Sequence, residues 1–144
     1  MICRKPIIRE ATNEDSPRIQ EMLKGNGLWV DGLDWSYLEG WYVGLHKGEV
    51  VGATQILPGK PCGCIMYITV DSEYIGSGLG YVLWQFAKAM LGVRGCDAIL
   101  AFTDNEWILR KEKKLGITVL KPFTATCQRI VNLRKLQHES AYLQ

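Results

Sequence analysis

Several runs in the first half of the chain have the composition of β-strands. The first starts at Ile7 and Ile8 and ends near Glu10, and two longer runs, Trp41–His46 and Glu49–Leu57, are separated only by Lys47 and Gly48. A two-residue connection that contains glycine between such runs is typical of a tight hairpin, so the sequence predicts paired strands there. The run Cys64–Val70 is almost continuously apolar, as expected of a strand with both faces covered.

Two segments carry apolar residues at helical spacing. In the first, Ser16 is predicted to cap a helix that has Pro17 at its first position, and residues 25–27 (Gly-Asn-Gly) end it. Its apolar stripe consists of Ile19, Met22 and Leu23. The second helix follows a glycine-rich stretch and continues through three turns. Its apolar positions are Leu79, Val82, Leu83, Phe86, Ala87, Met90 and Leu91.

The second half of the chain predicts three more strands and one more helix. The strands are expected at 98–103, 117–120 and 126–131, and the helix from Asp104 or Asn105 to Leu115. Strands and helices in this order predict an α/β or α+β fold, in which a mixed sheet has helices on both faces. We expect one domain over residues 1–144, with 132–144 as a polar C-terminal tail.

Composition and charge exclude several classes of protein. Hydrophobic residues make up 47% of the chain and charged residues 22%, and the net charge is +2, which is not the balance of a nucleic-acid-binding or disordered protein. No apolar run reaches the roughly 18–20 residues of a membrane span, and no signal peptide is recognised. The five cysteines fit neither a disulfide scaffold nor a zinc site and are expected to be buried or half-buried. We therefore expect a soluble cytoplasmic protein that uses no metal, nucleic acid or membrane.

The stretch before the second helix concentrates glycine at positions 76, 78 and 80. Glycine inside a helix costs roughly 0.5–1 kcal/mol relative to alanine, so this concentration needs a physical reason. The first N–H groups of a helix lack partners within it, the helix dipole attracts anions to them, and glycine lets a phosphate approach closely. The stretch is therefore predicted to hold a pyrophosphate. The alternative is a tight turn whose glycines serve packing of the helix against the strand.

The same stretch resembles the signature of the GCN5-related N-acetyltransferases, which is a strand, then Val-x-Pro-x-x-Arg/Gln-Gly-x-Gly-Ile-Gly, then a helix. Residues 70–80 read VDSEYIGSGLG, and the frame and the glycines match without a gap. The resemblance extends over nearly the whole chain, because DNEWILRKEKKLGI at 104–117 is similar to the family's later segment Asn-x-x-Ala-x-x-x-Tyr-x-x-x-Gly-Phe. It implies a mostly antiparallel central sheet flanked by helices, with the glycine loop between strand 4 and its following helix.

The resemblance also implies acetyl-CoA as co-substrate, held largely by the main chain. In the family, loop amides bind the pyrophosphate of CoA, the preceding strand pairs with its pantetheine arm, and an asparagine touches that arm. The implied loop residues here are Ile75, Gly76, Ser77, Gly78, Leu79 and Gly80. The implied strand residues are Ile68 and Val70, and the implied asparagine is Asn105.

Two positions depart from the family pattern. Ile75 stands where the family usually has Arg or Gln, so an N–H contact is kept and a side-chain contact is lost. Glu112 stands where the family has a tyrosine that protonates the leaving thiolate. A free glutamate titrates near pH 4.3 and a free tyrosine near 10, so Glu112 serves as this acid only if its pKa is raised by burial. Glu112 falls on one helical stripe with Ile108 and Leu115, which is expected to be buried. If its pKa is not raised, Glu112 attracts the cationic amine or pairs with a neighbouring cation.

The segment from 28 to 42 corresponds to the acceptor side of the family. It combines aromatic rings and carboxylates without Lys or Arg, which favours a cationic amine through charge and cation–π attraction. The alternative is that its tryptophans are core residues and its acids are solvated. The candidate acceptor-binding residues are Trp29, Asp31, Asp34, Trp35 and Tyr37.

The resulting expectation is an N-acetyltransferase that moves an acetyl group from acetyl-CoA to a primary amine by direct attack in a ternary complex. The amine belongs to a small molecule or a protein, and the enzyme is a monomer or homodimer. One alternative is an inactive member of the fold that binds CoA or a protein partner. Another is transfer of a different acyl group, or transfer from a carrier other than CoA.

Overall fold

The computed structural model describes residues 5–28, 39–60, 62–102, 110, 118–120 and 127–130. The strands in these ranges are β1 (Ile7–Glu10), β2 (Trp41–His46), β3 (Glu49–Leu57), β4 (Cys62–Val70), β5 (Ala98–Phe102), β6 (Thr118–Leu120) and β7 (Cys127–Ile130). The helices are α1 (Ser16–Gly25) and α2 (Leu79–Val93), and short 3₁₀ turns cover Asn13–Asp15 and Ser72–Tyr74.

The predicted strands and the first two predicted helices agree with these bounds to within two residues at each end. The hairpin between β2 and β3 is confirmed, because Lys47 and Gly48 have φ angles of 53° and 80°, the left-handed values that a two-residue turn requires. The helix predicted from Asp104 or Asn105 to Leu115 lies outside the described residues.

The predicted start of α1 is wrong by one residue. Ser16 is the first helical residue, and Asp15 occupies the cap position. The reason is the 3₁₀ turn that precedes the helix: the Asp15 carboxylate accepts hydrogen bonds from the backbone N–H of Thr12 at 2.8 Å and from its hydroxyl at 3.3 Å. The Asp15 N–H in turn donates to Thr12 O at 2.9 Å, so the turn closes at Thr12 and Ser16 becomes the first residue of the helix.

The prediction that every cysteine is buried or half-buried is also wrong at one position. Cys96 is buried and Cys64 is half-buried, but Cys62 is exposed. Cys62 is the first residue of β4, directly after the connection from β3.

The chain divides into two compact units. The first contains Met1–Gln55 and Tyr67–Trp84. In it, β1 pairs antiparallel with β2, and β2 pairs antiparallel with β3. The register between β2 and β3 shifts at Gly44, where Gly44 pairs with Gly52 and Leu45 pairs with Val50. This irregularity gives Val51 no opposite residue, as in a β-bulge.

The sheet of the first unit is covered by a helix on each face. On one face α1 contributes the buried Ile19, Met22 and Leu23, which pack against Trp41, Val43 and Ala53 of β2 and β3. On the other face the first turns of α2 contribute Leu79 and Leu83, which pack with Val51, Ile8, Ile68 and Val70. The two helices therefore bury both sides of β2 and β3, and β3 lies next to β4, the strand that leads into the glycine loop.

The second unit contains Ile56–Met66 and Gln85–Gln144. Here Cys62–Ile65 of β4 pairs in parallel with Ala98–Ala101 of β5, β5 pairs antiparallel with β7, and β7 pairs antiparallel with β6. Helix α2 packs closely on this part of β4, because a Cβ at Gly63 would lie 2.9 Å from Leu91 Cδ2 and 2.7 Å from Cys96 Sγ.

The pairs β1–β2, β2–β3, β5–β7 and β7–β6 are antiparallel and β4–β5 is parallel, and the glycine loop follows the fourth strand. The predicted fold class, a mixed and mostly antiparallel sheet with helices on both faces, is confirmed.

Candidate functional site

The glycine loop connects the end of β4 to the N-terminus of α2 and needs glycine for its backbone conformation. Gly76 and Gly78 have φ angles of 83° and 91°, which side-chain-bearing residues rarely adopt. A Cβ added at either position would meet no atom within 4 Å, and one at Gly80 would reach only Val70 Cγ1, at 4.0 Å. Close packing of helix against strand therefore does not account for the glycines at 76 and 78, and the space above them is open.

The amides of this loop fall into two groups. The N–H groups of Ile75, Ser77 and Leu79 donate within the loop, to Ser72 O at 3.4 Å, Tyr74 O at 3.0 Å and Ser77 Oγ at 3.3 Å. The N–H groups of the three glycines have no partner among the residues that the structure describes. Alternate amides thus fix the loop, and the glycine amides remain available to an anion at the positive end of the α2 dipole.

The loop is anchored at the start of α2 by two buried residues. Ser77 is buried, and its hydroxyl accepts from the N–H of Leu79. Leu79 is completely buried and packs over Gly44 and Gly52 of the sheet. Ile75, by contrast, is 65% exposed and places an apolar side chain in solvent at the first position of the loop.

The end of β4 carries the two strand residues predicted to face the pantetheine arm. The N–H of Asp71 donates to Val51 O of β3 at 2.8 Å. Because backbone groups alternate between the two edges of a strand, those of Ile68 and Val70 point away from β3. Their side chains pack against α2, so only main-chain atoms are offered at this edge.

Asn26, just after α1, holds the same end of β4. Its side-chain nitrogen donates to Val70 O and to Thr69 Oγ1, at 2.7 Å each. No motif in the sequence indicated this contact, because the residues are more than 40 positions apart. Asn26 fixes the strand end from which the glycine loop starts.

The turn between β4 and the loop is held by charged and aromatic groups that sequence reasoning also missed. The Asp71 carboxylate accepts from the Glu73 N–H at 2.8 Å and forms an ion pair with Arg18 of α1. The hydrogen bond from Arg18 is the main cause that lowers the pKa of Asp71. At the end of the turn, Tyr74 Oη lies 2.7 Å from Nδ1 of His46.

An acidic cleft of about 410 Å³ opens beside this turn. Its polar lining residues are Arg18, Glu21, Glu49, Asp71, Glu73 and Tyr74. Arg18 is paired with both Asp71 and Glu21, so the cleft contains an internal ion-pair network.

The remaining predicted site residues lie outside the described residues. They are Trp29, Asp31, Asp34, Trp35, Tyr37, Asn105 and Glu112. Within the described ranges, no helix has the length and apolar character to cross a membrane, and no three His, Cys, Asp or Glu side chains are grouped to hold a metal ion.

Solved structures with the same fold include several acetyltransferases. Rv2747 from Mycobacterium tuberculosis, solved in complex with CoA, is 16% identical, with a TM-score of 0.73 over 88% of this chain and 99% of that one. The structure of yncA from Salmonella typhimurium, solved with acetyl-CoA, is 19% identical, with a TM-score of 0.71 over 90% of this chain and 95% of that one. The ribosomal-protein-S18-alanine N-acetyltransferase from Escherichia coli is 15% identical, with a TM-score of 0.66 over 90% of this chain and 94% of that one.

A comparison with curated proteins found no match. The model of the acetyltransferase (GNAT) family, however, matches residues 8–109, which is well over half of the chain and includes the whole glycine loop. Sequence match and fold agree, and the chain belongs to the GNAT acetyltransferase family.

Proposed function

We propose that this protein transfers an acetyl group from acetyl-CoA to a primary amine, by direct attack of the amine on the thioester in a ternary complex. Membership of the GNAT family supports acyl transfer in general. The observation that carries the proposal for this chain is the glycine loop, where Gly76 and Gly78 have positive φ angles and the glycine amides at the start of α2 have no partner among the described residues.

The donor is proposed to bind along β4 and the loop. The glycine amides of the loop Ile75–Gly80 receive the pyrophosphate, and the open space above Gly76 and Gly78 fits a phosphate in contact with the backbone. The backbone of Ile68 and Val70 pairs with the pantetheine arm, and Asn105 contacts it from the following segment. Nearly all of these contacts are made by the main chain, which explains why Ile75 is tolerated in place of a charged residue.

The acceptor is proposed to be a cationic amine held by the aromatic and acidic segment before β2. Carboxylates attract the ammonium form, and aromatic faces add cation–π attraction. The proposed residues are Trp29, Asp31, Asp34, Trp35 and Tyr37. The E. coli neighbour is named for a protein alanine and another GNAT neighbour for N-acetylglutamate synthesis, so both protein and small-molecule amines belong in the search for an acceptor.

The chemistry needs two proton transfers. An amine with a pKa of about 10.4 costs roughly 4–5 kcal/mol to deprotonate at pH 7, so a base or a chain of water molecules removes its proton before attack. As the carbon–nitrogen bond forms and the carbon–sulfur bond breaks, the leaving thiolate takes a proton. Glu112 is proposed as this acid, because its position on a predicted buried stripe favours the protonated form.

An inactive module of the same fold that binds CoA or a protein partner is the second candidate. It is favoured by Ile75, whose exposed apolar side chain supplies neither charge nor hydrogen bond to a phosphate. Catalysis separates the two, since a binding module consumes no acetyl-CoA with any amine.

The test is release of free CoA thiol from acetyl-CoA in the presence of a panel of amines. The panel contains polyamines, amino acids, lysine peptides and peptides with free N-termini, and each amine has its N-acetylated form as a matched control. Thiol release that requires a free amine supports the transferase. Binding of acetyl-CoA without turnover on any amine supports the binding module, and acyl-CoA donors of other chain length distinguish acetyl from other acyl transfer.

A further inference from the structure

The turn that precedes the glycine loop is held at its first residue by helix α1. Asp71 accepts from the Glu73 N–H and donates its own N–H to Val51 O, so it already joins the turn to β3. Its carboxylate also pairs with the guanidinium of Arg18. Arg18 also donates from Nε to Val50 O at 3.1 Å. A single side chain of α1 therefore contacts both the beginning of β3 and the first residue of the turn.

The last residue of the turn is held by strand β2. Tyr74 Oη lies 2.7 Å from His46 Nδ1, and the two rings meet edge to face with centroids 5.5 Å apart. The Tyr74 ring packs against the cluster of Val51, Leu79 and Leu83. Its position is therefore fixed both by the core and by its hydroxyl.

The backbone of Tyr74 passes this restraint directly to the loop. Its carbonyl accepts from the N–H of Ser77 at 3.0 Å, between the two glycines with positive φ angles. Glycine in a loop has much conformational freedom to lose, so a ligand that must order these residues binds more weakly than one that meets them already in place. A fixed turn removes much of that cost.

We propose that Arg18 and His46 are positioning residues for donor binding, which hold the turn Asp71–Tyr74 from two different elements and so keep the loop amides ready for acetyl-CoA. The inference rests on the proposed acetyl-CoA site and extends it to residues that do not touch the donor. Other charged groups lie around the same turn. Glu21, Glu49 and Glu73 share its cleft, and Glu21 is a second, exposed partner of Arg18 at 3.2 Å.

The test is the dissociation constant of the full-length protein for acetyl-CoA, measured by isothermal titration calorimetry. Arg18→Gln removes the ion pair to Asp71, and Tyr74→Phe removes one hydroxyl and keeps the ring. Each is expected to weaken binding by about three- to tenfold, the size of one lost hydrogen bond. His46→Phe keeps an aromatic ring and removes Nδ1. It should give the same loss as Tyr74→Phe, and the double variant should show that loss only once.

Two controls separate positioning from general stability. Glu21→Gln removes the other partner of Arg18 and should leave the dissociation constant within about twofold of wild type. Arg9→Gln removes the pair with Asp15 at the cap position of α1, so it should lower the melting temperature without weakening acetyl-CoA binding. If Arg18→Gln does not fold, Asp71→Asn replaces it, because asparagine keeps the acceptor for the Glu73 N–H and loses the charge.

The outcomes distinguish this inference from the proposed function. Wild-type protein that does not bind acetyl-CoA would overturn the donor site and this inference with it. Wild-type protein that binds, together with variants at Arg18, His46 and Tyr74 that bind equally well, would leave the donor site standing and overturn the positioning role. If only the Arg18 variant weakens binding, His46 is not a positioning residue. If only the His46 and Tyr74 variants weaken binding, Arg18 is not one.

Discussion

Leu79 lies so close to the backbone of Gly52 that a Cβ at that glycine would be 3.1 Å from its Cδ2 atom. Leu83 Cδ1 would be closer still, at 2.9 Å, and Thr69 O would lie at 3.4 Å. The first turn of α2 therefore rests on β3 without room for a side chain between them. Because Leu79 also belongs to the glycine loop, this contact fixes the distance between the end of the loop and β3.

Gly52→Ala is expected to destabilise the fold by about 1–3 kcal/mol, because two completely buried leucines would have to move. Chemical denaturation with urea measures the change. Gly44→Ala is the matched control: it pairs with Gly52 across the strands, yet its Cβ would meet Leu83 and Leu79 at 3.5 and 3.6 Å, which is ordinary contact. Equal destabilisation by the two substitutions would contradict this account of how α2 is seated.

Gly78→Ala is expected to reduce acetyl-CoA affinity at least about tenfold, since a non-glycine residue there costs about 1–2 kcal/mol in its present conformation and drives the loop out of it. Gly48→Ala in the β2–β3 hairpin is the control. Its φ of 80° and its empty surroundings match those of Gly78, which has φ 91°. Both variants should lose similar stability by denaturation, and only Gly78→Ala should lose affinity by calorimetry. A Gly78→Ala protein with wild-type affinity would show that the donor binds elsewhere.

The pair of Arg9 and Asp15 predicts how stability depends on pH. The hydrogen bond from Arg9 is the main cause that lowers the pKa of Asp15 below its ordinary value of 3.8, with a contribution from the Thr12 N–H. A carboxylate with a lowered pKa in the folded state stabilises the fold above its unfolded pKa. That stabilisation is lost as the pH falls from about 4 through the folded pKa.

Asp15→Asn should therefore lower the free energy of unfolding by about 1 kcal/mol at pH 7, a modest value because Arg9 is partly exposed. The difference from wild type should shrink below about pH 4, as the wild-type carboxylate takes up its proton. Urea denaturation from pH 2.5 to 7 measures this. Glu14→Gln, in the same turn and exposed, removes an equal charge and should show a smaller effect at pH 7. A constant difference for Asp15→Asn across the range would contradict the assigned pair.

Glu112 provides a catalytic test of the proposed acid. If it protonates the leaving thiolate, Glu112→Gln should lower kcat about 100-fold with little change in the KM for acetyl-CoA. Glu112→Tyr should retain much more activity, because tyrosine also holds a proton at neutral pH. Steady-state kinetics with a saturating amine measures both variants. Equal activity of wild type and Glu112→Gln would favour an ion pair with a neighbouring cation.

The strands of the first unit and the position of the loop could be predicted because their signals are local. Lys47 and Gly48 mark the hairpin, and three glycines before an apolar helix mark the loop. The bounds of β2 and β3 follow from those turn residues and the apolar runs beside them. The same local reasoning misplaced the start of α1, because Asp15 reaches back to Thr12 and builds an extra turn that apolar spacing does not reveal.

The contacts that hold the loop could not be predicted, because they join residues that are distant in sequence. Arg18 and Asp71 are 53 positions apart, and His46 and Tyr74 are 28 apart. Each residue alone is an ordinary charged or aromatic side chain without a characteristic spacing. Only the fold, which places α1 and β2 beside the end of β4, brings them to one turn.

The most direct test of the donor site is the melting temperature of the wild-type protein with and without saturating acetyl-CoA. A ligand at 100 times its dissociation constant stabilises a fold by about 2.7 kcal/mol, which in a domain of this size raises the melting temperature by about 5–10 °C. S-acetylpantetheine, which lacks the pyrophosphate, is the control and should give a much smaller rise. The account predicts a clear rise with acetyl-CoA; no rise at millimolar acetyl-CoA would contradict it and favour a module that binds a protein partner.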